Sequence, residues 1–144
     1  LNRPKYPIAA SKMKTCVNFK SDLFKPFLPE ASQVNPGRYG AELAYWLTRK
    51  LSEKGVCTSY PEHEDWGWFI EFVTEEEDEY WLCCGNVDGT YKEWQIFIDP
   101  KPKGLFGRKK ANVENARLLM SAVKTVLEEC DQISEIEWHN ESQA

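Results

Sequence analysis

The amino-acid sequence predicts an α+β fold, a two-layer sandwich whose largely antiparallel sheet is covered by two helices. Two segments, 37–53 and 113–130, repeat apolar residues at three- and four-residue steps, the spacing of a helix with one buried side. Between them, residues 66–98 alternate large apolar and polar side chains across turn signals, the pattern of an antiparallel meander. Two helices cannot shelter both faces of a wide twisted sheet. They belong on one face and leave the other open to a ligand, a partner or a second copy of the chain. The 144 residues suffice for one domain with its own core. That domain is expected over 14–140, between an extension at 1–13 and a short tail at 141–144.

The first strand is expected in KTCVNF, residues 14–19, which alternates weakly. Pro26 and Pro29 then discourage regular structure, and Phe24, Phe27 and Leu28 are placed to cover a core edge. Asn35 as cap and Pro36 at the first helical position predict a helix over 37–53. Its stripe is Tyr39, Leu43, Trp46, Leu47 and Leu51, and Gly55 is its stop. A short strand is expected at 56–60. The following WGWFIEFV puts Trp66, Trp68, Ile70 and Phe72 on one face and Gly67, Phe69, Glu71 and Val73 on the other. TEEEDE, residues 74–79, reads as a charged turn and YWLCCGNV as the next strand, with Asp88-Gly89 as a hairpin signal leading into TYKEWQIFI. A turn-rich connection at 99–112 delivers the chain to the second helix. Asn112 is its cap, and Val113, Ala116, Met120, Val123, Leu127 and Cys130 are its stripe. ISEIEW alternates Ile133, Glu135 and Glu137 against Ser134, Ile136 and Trp138, as a last strand or an irregular end.

Composition narrows function. A formal charge of −5 and a pI near 5.2 argue against a nucleic-acid binder that relies on bulk charge. No apolar run reaches the length of a membrane-spanning helix, so no membrane partner is expected. The N-terminal residues lack the continuous apolar segment of a secretory signal, and the expected location is cytoplasmic. Cys16, Cys57, Cys83, Cys84 and Cys130 lie in strand or helix surroundings and read as free thiols of a reducing compartment. Neighbours Cys83 and Cys84 point to opposite sides of a strand, no metal-ligand spacing is visible, and no cofactor is expected.

The chemistry concentrates in YPEHEDWGWFIEF, residues 60–72. Residues 62–79 hold nine acidic residues and no Lys or Arg. Carboxylates beside tryptophans suit a basic protein surface, because charge speeds encounter and aromatic rings anchor. The expected partner-binding residues are Glu62, Glu64, Asp65, Trp66, Trp68, Glu71, Glu76, Glu77 and Asp78. The enzyme alternative is a small hydrolase in which His63, Glu64, Asp65 and Glu71 act as acid–base groups, one carboxyl kept neutral beside another kept ionised. A third reading binds a small ligand on the open sheet face. GLFGRKK, residues 104–110, presents Arg108, Lys109 and Lys110 before a helix N-terminus, a weak anion site without nucleotide-loop spacing.

Residues 36–55, PGRYGAELAYWLTRKLSEKG, with EDWGWFIEF at 64–72 and more loosely YWLCCGN, resemble a pattern found in small bacterial proteins of unassigned function. In type, such proteins are similar to the immunity proteins of bacterial toxin systems. The resemblance implies a cytoplasmic bacterial protein and brings no catalytic assignment. The expected function is therefore a protein-binding module, an antidote or immunity partner of a basic effector such as a toxin domain. A homodimer through the same face is the competing use.

Overall fold

The structure, a computed structural model, describes residues 13–103 and 109–140. In chain order its elements are β1 (Cys16–Ser21), α1 (Ala41–Glu53), β2 (Glu62–Glu64), β3 (Gly67–Val73), β4 (Glu79–Asn86), β5 (Glu93–Pro100), β6 (Pro102–Lys103), β7 (Lys109–Lys110), α2 (Arg117–Glu128) and β8 (Ile133–His139). Six strands form one antiparallel sheet in the order β2-β3-β4-β5-β1-β8. β6 and β7 pair in a separate two-residue ladder. Both helices pack on one face of the large sheet, which is the α+β sandwich the sequence predicts.

The core lies between these layers. Leu43, Leu47 and Leu51 of α1 and Leu119, Val123 and Leu127 of α2 meet Val17, Ile70, Leu82, Cys84, Trp94 and Ile96 of the sheet. Each fully buried aliphatic or aromatic side chain contributes about 1.5–3 kcal/mol. Trp94 satisfies its indole N–H on the Ser21 carbonyl at 3.1 Å, and Phe24 meets it edge-on with ring centroids 5.8 Å apart. Phe24 thus covers a core edge as expected, whereas Phe27 and Leu28 stay exposed.

The first helix starts later than expected, at Ala41. Gly37 and Gly40 hold positive φ angles of 79° and 152°, which interrupt a helix. A Cβ at position 40 would lie 2.6 Å from the Cys84 carbonyl oxygen, so the bare backbone lets α1 begin directly against β4. Asn35 does not cap it. Its side-chain amide donates instead to the carbonyls of Glu64 and Asp65, at 3.3 and 2.9 Å. The strand expected at 56–60 is irregular chain. The edge of the sheet is formed further on by β2, and the Ser59 N–H reaches the Glu71 carbonyl at 2.9 Å.

The meander is as expected, with Asp88 and Gly89 both at positive φ in the β4–β5 turn. Asn112 accepts the Glu114 N–H, opening a short 3-10 turn (Val113–Ala116) that precedes α2. The final segment is a strand, and its oddity is instructive. Plain alternation would set Ile133 and Ile136 on opposite faces. Glu135 instead adopts φ 51°, and the β1–β8 register shifts between Asn18 and Lys20. That bulge turns Ile133, Ile136 and Trp138 all toward the core. Among the described residues, no helix is long and apolar enough to cross a membrane.

Candidate functional site

Directly paired residues of an antiparallel sheet present their side chains on the same face, so register sorts the candidates. One row runs His63, Trp68, Cys84, Ile96, Val17 and Trp138 across all six strands. It faces the helices, and Val17, Cys84 and Ile96 belong to the core. The next row runs Glu62, Phe69, Cys83, Phe97, Cys16 and His139 on the other face. Glu71, Trp81 and Asp99 make a further row on that open side.

An aromatic layer occupies the open face. Trp66 falls in the turn between β2 and β3, so it does not share a face with Trp68 as expected. Gly67, at φ 154°, follows it and leaves the turn free of Cβ crowding against β4. The Trp66 ring lies over the sheet, its centroid 6.3 Å from Phe69 and 6.1 Å from Phe97. Phe69 stacks on Trp81 at 3.7 Å with planes 10° apart. The Lys101 ammonium sits 3.6 Å from the centre of the Trp81 ring and pairs with Asp99 at 2.9 Å. The Trp81 indole N–H donates to Glu79 at 3.0 Å. Flanked by Trp66 and Trp81, Phe69 is 3% exposed, while Trp66 itself remains 39% exposed.

Carboxylates surround this layer. Glu62 and Glu64 are exposed on β2, opposite Phe69 and Gly67, and Asp65 is exposed in the turn. Glu71 is half-buried beside Trp81. Burial, then the charges of Glu79 and Glu62, hold its carboxyl above the ordinary range. Glu76 and Glu77 are exposed between β3 and β4. Asp78 is placed differently from its neighbours, because it points inward. Lys103 Nζ lies 2.8 Å from one of its oxygens and the Asn115 amide 3.4 Å from the other. The Lys103 hydrogen bond leads in holding its carboxyl below the ordinary range. Asp78 pins a turn; it does not present a charge.

The acid–base candidates are divided between faces. His63 meets Trp68 edge-on, with ring centroids 5.6 Å apart, on the helix side. Glu64 and Glu71 lie on the open side, so the sheet separates His63 from them, and Asp65 stays in the turn. His139 is on the open side but far along the row. Its Nε2 lies 2.8 Å from Asn18 Oδ1, which also accepts from the Gln95 amide at 3.1 Å. Lys109 and Lys110 are exposed in β7, off the large sheet, and Arg108 lies outside the described residues. Among the described residues, no three or more His, Cys, Asp or Glu side chains are grouped to hold a metal ion.

Trp81, Phe97, Asp99 and Lys101 complete this layer from outside the acidic run of residues 62–79. A signal for them existed: once Ile70 and Phe72 set the phase of β3, Phe69 faces away from the helices, and pairing carries that face to Cys83 and Phe97. No family model matches the chain, and no curated protein or solved structure matches it.

Proposed function

We propose that this chain is a protein-binding module whose open sheet face receives a basic protein surface. Its specific form is an immunity or antidote protein that covers a basic effector such as a toxin domain. Trp66 carries the reading. Its ring is partly exposed and already rests on Phe69 and Phe97, with Glu62, Glu64 and Asp65 exposed around it. A ring seated on a formed layer loses little freedom when a partner arrives. The carboxylates steer a basic partner and repel acidic ones. Trp68 packs against the core on the opposite side and Asp78 is held by Lys103. The contact set therefore reduces to Glu62, Glu64, Asp65, Trp66 and Glu71, with Glu76 and Glu77 steering from the neighbouring turn.

The experiment is capture of partners from lysate of the source organism by the immobilised chain, read by mass spectrometry. Two folded variants serve as controls, E62K/E64K/D65K and Trp66→Ala. The expected result is one stoichiometric basic protein, held at least about tenfold more weakly by either variant. Capture of nothing, or of a protein indifferent to both variants, sinks the proposal.

A further inference from the structure

On the helix side, α2, β8 and the residues leading into β1 enclose an open hollow of about 530 Å³, lined by Met13, Lys14, Arg117, Met120, Ser121, Lys124 and Trp138. Positions 117, 121 and 124 return to one side of a helix, so Arg117, Ser121 and Lys124 border it from α2. Met13, Met120 and Trp138 form its apolar floor, and each packs against the main core. Among the described residues, the lining carries three cations and no carboxylate, in a chain whose net charge is −5. Arg117 is held by Glu114 at 2.9 Å. Among the described residues, Lys14 and Lys124 have no carboxylate partner. Among the described residues, two ammonium groups without a carboxylate partner thus stand over an apolar floor, in a volume within the range of small-molecule sites.

We propose that this hollow binds a small amphipathic anion. Its apolar body lies against Met13, Met120 and Trp138, and its single carboxylate or phosphate head is met by Lys14 and Lys124. Desolvation of the apolar body supplies affinity and the ammonium groups supply the choice of head. The site is separate from the open face and stands or falls without it.

Calorimetric titration tests this with three probes of identical tail, decanoate, decyl phosphate and decyltrimethylammonium, each kept below its micelle concentration. Saturable one-to-one binding of at least one anion is expected, with the cation at least about tenfold weaker. Lys14 and Lys124 are exposed, so K14E/K124E should fold and weaken the anion by about tenfold or more. Ser121 is also exposed, and Ser121→Trp should abolish binding by filling the hollow. No saturable binding of either anion overturns the proposal. So does equal binding of the cation, or anion binding unchanged in both variants.

Discussion

Two rows of side chains, one residue apart on every strand, are exposed at their β2 ends and covered further along by different means. His63, Trp68, Cys84, Ile96, Val17 and Trp138 face the helices; Glu62, Phe69, Cys83, Phe97, Cys16 and His139 face away. On the first side, burial comes from α1 and α2, which lock the sheet residues from above. On the second, Trp66, Phe69, Trp81 and Phe97 lie against one another while carboxylates stand around them. Cys84 belongs to the helix-side core, where burial pushes its thiol up to about 12 and leaves it unreactive at neutral pH. One face holds the fold together and the other holds a ring in place.

The largest expected difference between the two faces comes from neighbours on β5. Ile96 is fully buried on the helix side, and Phe97 is half-buried on the open side. Ile96→Ala is expected to cost about 2–5 kcal/mol, since it removes transfer energy and leaves a cavity among residues that cannot collapse. Phe97→Ala, although it deletes more atoms, is expected to cost about 1–2 kcal/mol, because solvent can fill the gap. Urea unfolding of both variants reads the difference. Equal losses would mean that the open face is as much a core as the other.

The helix side was the legible side. Leu43, Leu47 and Leu51, or Met120, Val123 and Leu127, repeat at helical steps because one side of each helix is buried. Alternation through Trp68, Ile70 and Phe72 likewise reports a single continuous core. Legibility fails where one residue leaves the period. Trp66 looks like a member of that alternation, yet it sits in a turn and belongs to the other face. Ile133 and Ile136 look out of phase until the bulge at Glu135 restores them. Asn35 has the composition of a cap, but its amide finds carbonyls nearly thirty positions away, a contact no local pattern encodes. Asp78 reads as one more acid in a charged run until Lys103 is seen beside it.

Asp78 gives the next effect, and it is a pH effect. Its carboxyl is held below its ordinary 3.8, first by the Lys103 hydrogen bond. A depressed acid contributes stability that is present above its unfolded value and lost as pH falls through the folded one. Asp78→Asn is therefore expected to lower the melting temperature at pH 7 by about 2–4 °C. It should also lessen the loss of stability below pH about 4. Thermal melts across that range check both. A variant whose acid limb matches the parent's would show that this turn is not held by the ion pair.

Glu71 carries the opposite sign and the smallest effect. Burial and the charges of Glu79 and Glu62 raise its carboxyl above its ordinary 4.5. A raised acid contributes stability that is full below the unfolded value and lost as pH climbs through the folded one. At neutral pH its charge therefore opposes folding. Glu71→Gln keeps the shape and removes the charge, so it should stabilise the free chain at pH 7 by up to about 0.5 kcal/mol and give no gain near pH 4. A basic partner over the open face reverses the balance, because its cations favour the ionised carboxyl. The same variant should then weaken the complex by about threefold. Urea midpoints and a binding titration, run side by side, separate the two roles. Stability gained as affinity is lost marks a charge kept for binding against the interest of the fold. A variant that gains stability without losing affinity leaves Glu71 outside the contact and confines recognition to Trp66 and the carboxylates of β2.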